Sequence, residues 1–388
     1  MNILVTGGAG YIGSATAQAL IEAGHRVTVL DSLVTGHRAA IPLAARFMHA
    51  DLSDHPALSR LFAEQSFDAI LHFAASIEAG ESMQRPGKYF QNNVGNSLQL
   101  IEAAVGAGVR RFVLSSTAAV YASSDQPLSE DSPLAPINVY GQTKWMIEQA
   151  LGWYCKIHRL HYAALRYFNA AGARPKHGEA HQPETHLIPL VLQVASGQRP
   201  AAQINGVDYP TPDCTCIRDY IHISDLVSAH LLALEALSEC DALIFNLGNG
   251  AGYSVREVIE TARQVTGHPI ATIESPRRPG DPARLVASAQ RIRRELGWQP
   301  RIPALAEIIA SAWEWHREHP KGYEEDLWMI ISHPLLYVPP SPIARQRSLN
   351  QPRPKIPVRP KCPTAAICRF RRSGVIPRNP ANLAERQS

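Results

Sequence analysis

Short apolar runs alternate with longer amphipathic stretches over the first 170 residues, and this rhythm predicts the fold. Asn2–Thr6 (NILVT) reads as a strand, broken by Gly7-Gly8-Ala9-Gly10-Tyr11-Ile12-Gly13. The alanine-rich stretch 14–23 predicts a helix, and 25–30 (HRVTVL) a second strand, closed by Asp31. Strand, helix and strand within about thirty residues form the βαβ unit of a parallel sheet. Strands are expected again at 67–73 (FDAILHF), 111–115 (RFVLS) and 162–167, with helices at 89–107 and 140–158. Repetition of this kind predicts a doubly wound α/β sheet.

The texture changes after Asn169. Residues 170–220 carry Pro175, Pro183, Pro189, Pro200, Pro210 and Pro212 and read as loop-rich. A helix is expected at 221–237, a short strand at 244–247, and a helix at 254–266 opened by Ser254 with Glu257 three residues on. A loop at 275–282 precedes a last helical region ending near His319. We therefore expect a sheet domain over 1–169, rejoined by segments around 221–250, and a smaller lobe over 170–323 closing on the sheet's carboxyl edge. Residues 327–388 hold 11 prolines and lose hydrophobic periodicity, so they read as a disordered Pro/Arg-rich tail.

Charge divides at the same place. Residues 1–326 carry 27 Lys+Arg against 33 Asp+Glu, while the tail carries 11 against one. The overall net charge of +4 thus belongs to the tail and gives no reason to expect the body to bind nucleic acid. Nothing resembles a signal peptide or a membrane span. The six cysteines (155, 214, 216, 240, 362, 368) form no framework. Cys214-Thr-Cys216 has the spacing of a metal or redox pair, but no second ligand cluster follows it. We expect reduced thiols, no metal site and a cytoplasmic protein.

Two features carry chemistry. Gly7-x-x-Gly10-x-x-Gly13 follows a strand and opens a helix, where a pyrophosphate meets backbone N–H groups and the positive end of the helix dipole. Asp31 ends the second strand, where a carboxylate accepts from both adenosine ribose hydroxyls and repels a 2′-phosphate. NAD is therefore favoured over NADP, although Arg38 lies nearby. Tyr140 and Lys144 are one helical turn apart. A free tyrosine titrates near pH ~10 and is a poor base at neutrality. A nearby ammonium and a cationic nicotinamide both favour the phenolate.

Together with LVTGGAGYIGS (4–14), HFAASIEAGESM (72–83), NNV (92–94), SSTAAVY (115–121), YGQTK (140–144), RYFNAAGA (166–173), DYPTPD and IRDYIH (208–222) and RRPGD (277–281), these features resemble the extended short-chain dehydrogenase/reductase superfamily. Within it the chain is similar to the UDP-glucose (UDP-galactose) 4-epimerases, from Met1 to about Tyr323. The resemblance implies a Rossmann-type sheet with a C-terminal substrate-binding lobe, tightly held NAD and a UDP-sugar substrate. It implies a cofactor site of Gly7, Gly10, Tyr11, Ile12, Gly13, Asp31, Asp51, Leu52, Phe73, Ala74, Ala75, Asn92, Lys144 and Phe168. Thr117 joins Tyr140 and Lys144 in the catalytic set, and Asn169, Arg218, Arg278 and Asp281 surround the nucleotide sugar with Thr117 and Tyr140. A homodimer through helices around 89–107 and 142–158 is also implied. Outside these motifs the arginines would read as surface pairs, Arg218 with Asp219 and Arg278 with Asp281.

Several positions depart from the family pattern. Asn205 stands where an aromatic residue often stacks on uracil. Cys214 and Ala122 replace usual glycines, and Cys214 costs stability if its φ is positive. Ile77 replaces a lysine of some relatives. Leu285 falls where some members have tyrosine, which leaves room for an N-acetyl group. A nucleotide-sugar dehydratase requires an acid–base pair after the Thr, but Ala118-Ala119 follow Thr117. A 4-epimerase of another UDP-sugar (N-acetylhexosamine, pentose or uronate) stays open, and a non-catalytic NAD-binding scaffold is the reading of a different class. The tail reads either as a basic arm or as a shifted reading frame, with the second preferred.

Overall fold

The computed structural model describes residues 1–324 apart from Cys240 and Pro279; the expected tail and Cys362 and Cys368 lie outside the described residues. The chain begins with β1 (Asn2–Thr6), α1 (Tyr11–Glu22), β2 (Arg26–Asp31), β3 (Arg46–His49), α2 (His55–Glu64) and β4 (Ala69–His72). Next come α3 (Ala79–Gln84), α4 (Pro86–Tyr89), a π-helical turn (Phe90–Gly95) and α5 (Asn96–Gly106). They lead to β5 (Arg111–Thr117), α6 (Val139–His158), β6 (His161–Tyr167) and β7 (Asn169–Ala171). The remainder is α7 (Leu187–Ala195), β8 (Ala202–Asn205), β9 (Ile217–His222), α8 (Ile223–Ala236) and β10 (Ala242–Leu247). Finally come β11 (Gly252–Ser254), α9 (Val255–Thr266), β12 (Thr272–Ser275), β13 (Arg284–Leu285), α10 (Gln290–Leu296) and α11 (Leu305–Glu318).

Seven strands form one parallel sheet in the order β10-β6-β5-β4-β1-β2-β3. Its central strands are buried on both faces, and the period of two sorts their residues between the layers. Ile3 and Val5 pack with Leu20 of α1 and with Leu226 and Ala229 of α8. Leu4, Ile70 and Phe112 face the other way, onto Leu58 and Leu61 of α2, Leu100 of α5, and Ile147 and Leu151 of α6. Each fully buried side chain of this kind is worth about 1.5–3 kcal/mol. The strand order reverses between β1 and β4, so a crevice opens at the carboxyl ends of these strands.

A smaller layer covers that crevice. β7, β9, β11 and β13 form a second sheet, and β8 pairs with β12. A separate apolar cluster joins Val191 and Leu192 of α7 to Val258 and Ile259 of α9 and Ile308 and Ile309 of α11. Helix α9 opens with a complete Ser254–Glu257 capping box.

Three expectations need correction. The stretch 170–220 holds β7, α7, β8 and most of β9. Pro189 stands in the first turn of α7, where a missing N–H costs nothing. Ile221 and His222 end strand β9, and the helix expected from 221 starts at Ile223, capped by the His222 side chain. The helix expected over 89–107 is interrupted by the π turn.

Candidate active site

The crevice is a cleft of about 620 Å³. Gly7, Gly10, Tyr11, Ile12 and Gly13 line one end, and Asp31, Asp51 and Leu52 line the wall beyond them. At Gly7 φ is +72°, and a Cβ would come 2.5 Å from the Ala74 nitrogen, so only glycine permits this turn. Gly10 caps α1 without any side-chain bond, and the first turn holds no acidic residue. The positive end of α1 therefore faces the cleft uncompensated. Asp31 accepts from Ala9 N (2.9 Å) and Leu33 N (2.8 Å), and burial raises its pKa against these bonds. Arg38 does not line the cleft; its guanidinium sits 4.8 Å over the Phe47 ring. Glycine turn, bare helix terminus and buried carboxylate together suit a dinucleotide without a 2′-phosphate.

Phe73, Ala74, Ala75, Asn92, Thr117, Tyr140, Phe168, Asn169, Arg218 and Asp281 line the same cleft. Helix α6 is started by Asn138, whose side chain accepts from Gly141 N (2.8 Å), and Ser82 Oγ accepts from Tyr140 N (3.1 Å). Any Cβ at Gly141 would run into the Ala119 carbonyl, so glycine lets α6 close on the turn after β5. That approach puts the Tyr140 phenol in hydrogen-bonding reach of Thr117. Burial pushes the phenol up to about 12, and the Thr117 bond pulls it down. The Thr117 hydroxyl also accepts from Ala119 N (3.1 Å).

Lys144 is the expected catalytic residue that does not line the cleft. It is buried, and its ammonium donates to the Ser115 carbonyl at 2.7 Å. Burial pulls it down to about 8, opposed by Glu148 one turn on. Arg278 likewise stays outside the cleft wall, mostly exposed, with Nε donating to Asp281 at 3.0 Å. Arg218 is largely buried and reaches the other oxygen of Asp281 at 3.4 Å. The alternative pairing of Arg218 with Asp219 is therefore overturned. Asp219 instead accepts backbone N–H groups from Asn249, Gly250 and Ala287 at 2.9–3.0 Å. The positive φ feared at Cys214 is real, at +64°.

Other residues hold the site together without having stood out in the sequence. Asn93, beside the expected Asn92, is fully buried and binds both backbone groups of Ser76 and the Thr143 hydroxyl. Arg166 donates to both Glu148 oxygens (3.0 and 2.6 Å) and to Tyr121 OH (2.9 Å), tying β6 to α6 beneath Lys144. Tyr11 donates its phenol to Gly172 O at 2.6 Å, joining α1 to the covering layer. A fourth group, Glu179, His181, Glu184 and His186, converges at the cleft mouth. Its E-x-H-x-x-E-x-H spacing was the one available signal.

A family model described as "NAD dependent epimerase/dehydratase family" matches residues 3–248. A UDP-glucose 4-epimerase of Streptomyces lividans is 52% identical over 324 residues, covering 83% of this chain and 98% of that one. A crystal structure of UDP-glucose 4-epimerase superposes with a TM-score of 0.81 at 48% identity, covering 84% and 100% of the two chains. The UDP-glucose-4-epimerase of Stenotrophomonas maltophila, solved with bound NAD and formylated UDP-arabinopyranose, gives 0.79 at 40% identity over 83% and 100%. Its fold, its cleft and these relatives agree: the chain belongs to the NAD-dependent epimerase/dehydratase family.

Proposed function

We infer that this protein interconverts UDP-glucose and UDP-galactose by inverting C4 of the sugar. The observation that carries this reading is the Thr117–Tyr140 pair in a cleft that also holds the glycine turn and Asp31. The glycine turn and Asp31 would hold NAD, which would supply a reversible hydride acceptor for C4. The chain's own residues manage the proton and the orientation. Tyr140 accepts the 4-hydroxyl proton as the ketone forms and gives it back when the ketone is reduced. Thr117 holds the same hydroxyl. Thr117 is the group in the chain that draws the Tyr140 phenol down against burial. Lys144 lies one turn on, its ammonium on the Ser115 carbonyl, and a nicotinamide cation would further favour the phenolate. Arg218 and Arg278, both tethered by Asp281, offer guanidinium forks for the diphosphate. Anchoring by diphosphate leaves the sugar free to present either face.

Ala118 and Ala119 line the cleft where elimination would need an acid–base pair, so the dehydratase reading is set aside. Leu285 also lines it and favours room for an N-acetyl group as a second activity. Dimerisation through α5 and α6 is supported by Trp153 and Ile157, exposed one turn apart on α6. Among the described residues no helix is long and apolar enough to cross a membrane. The free thiols of Cys155, Cys214 and Cys216 support a cytoplasmic setting.

Heat release of NAD from the purified protein, followed by a coupled UDP-glucose assay on UDP-galactose, tests the reading. Bound NAD with turnover supports it. Bound NAD without turnover of UDP-galactose, UDP-GalNAc or UDP-arabinopyranose would leave a scaffold and sink it.

A further inference from the structure

We propose that Glu179, His181, Glu184 and His186 bind one divalent cation of the zinc class, which fastens the 179–186 segment over the cofactor cleft. One ligand atom from each residue lies within 4.8 Å of all the others, and no second such group occurs among the described residues. Glu179 Oε1 is 3.3 Å from His181 Nδ1 and 2.8 Å from His186 Nδ1. Glu184 Oε1 is also 2.8 Å from His186 Nδ1. Four ligands at about 2.0–2.2 Å around tetrahedral zinc stand roughly 3.3–3.6 Å apart, so small side-chain shifts make the shell.

Hydrogen bonding accounts for part of this arrangement, since Glu184 Oε1 accepts from Thr185 N and His186 N at 2.8 Å each, but not for the rest. His186 Nδ1 faces two carboxylates but carries at most one proton to share between them. His181 Nδ1 is closed off from water, and its approach to Glu179 lacks hydrogen-bonding geometry. Glu179 is 6% exposed and Glu184's side chain 4%, so two carboxylates are withdrawn from solvent in one place. A divalent cation neutralises both at once. Two imidazoles with two carboxylates suit zinc among first-row ions, whereas magnesium and calcium prefer all-oxygen shells.

The location gives the cation its work. Glu179, His181, Gln182, Pro183 and His186 line the cleft. The Ala180 carbonyl bonds the His37 ring at 2.8 Å, in the loop beyond Asp31. Thr185 Oγ1 donates to Glu78 at 3.0 Å, beyond Ala75. The segment thus bridges the two rims, and all four ligands come from eight residues, so closing the shell orders little extra chain. The cation is structural and touches none of the proton chemistry at Tyr140.

The test uses the full chain, untagged, expressed in zinc-supplemented medium and desalted. Elemental analysis is expected to find about one zinc per chain. Removal by dipicolinate is expected to lower Tm by roughly 5–10 °C and to speed NAD release, both restored by zinc. Cobalt added to the stripped protein should give the visible bands of a tetrahedral site. His181→Ala and Glu184→Gln should abolish those bands while keeping the circular dichroism of the parent. Metal-free protein that takes up neither zinc nor cobalt overturns the proposal, as does equal metal binding by both variants. Because stoichiometry is read without turnover, an inactive but zinc-loaded protein would refute the epimerase reading alone.

Discussion

Along the glycine turn the cleft wall is backbone: Gly7 abuts the Ala74 nitrogen, α1 presents uncapped N–H groups, and Asp31 is fixed by two main-chain donors. Across the cleft the wall is side chains from separate segments. Arg218 on β9 and Arg278 in a distant loop meet on Asp281, and Glu179 and His186 meet at the mouth. The backbone wall suits a cofactor held fixed. The side-chain wall can yield to a sugar that must turn over.

Tyr140 stands where the two walls meet, so Tyr140→Phe should cost the most. We expect a kcat loss of roughly 10²–10⁴-fold with bound NAD unchanged, measured by the coupled assay and nucleotide release. Acid tests the sheet side next. Burial holds His72 down to about 3 and His230 to about 4, so the unfolded chain takes up protons that the folded one refuses. Their contribution is whole above about pH 6.5 and is lost as pH falls below it. Denaturant titrations should show roughly 5 kcal/mol less stability near pH 4.5 from the two together. Gly141→Ala drives α6 off the Ala119 carbonyl and should cost roughly 1–3 kcal/mol by the same titration, with a lower kcat. On the yielding side, Arg218→Lys should raise KM for the UDP-sugar roughly tenfold, leaving NAD content and Tm near the parent values. A loss of NAD here would break the division between the walls. Smallest, Cys214→Gly relieves φ +64° at an exposed turn and should stabilise by roughly 1 kcal/mol, read as a rise in Tm.

The same division decided what could be read from residue order. The glycine turn, Asp31 and Tyr140 with Lys144 are local patterns whose meaning depends on a few neighbours. β9 is different. Arg218 and Asp219 interrupt its apolar run, and they are tolerated because Asp219 finds three N–H donors in loops 30 to 68 residues later. Prolines drew attention away from α7, although Leu187–Ala195 is strongly apolar and Pro189 sits harmlessly in its first turn. Arg166 inside RYFNAAGA gave no hint of its bond to Glu148, a contact across a helix and a strand. The Glu179–His186 group lies in a proline-broken stretch that reads as loop and carries no cysteine to announce it.

The edge strand β10 has a consequence for synthesis. It pairs with β6 from Ala242↔Tyr162 to Leu247↔Tyr167, so β6 waits for some 75 intervening residues to leave the ribosome before gaining its outer neighbour. During that interval the apolar edge of β6 is open to any strand it meets. A gene truncated after the first 169 residues would freeze this state, and its product should aggregate even though every cofactor-facing turn is present.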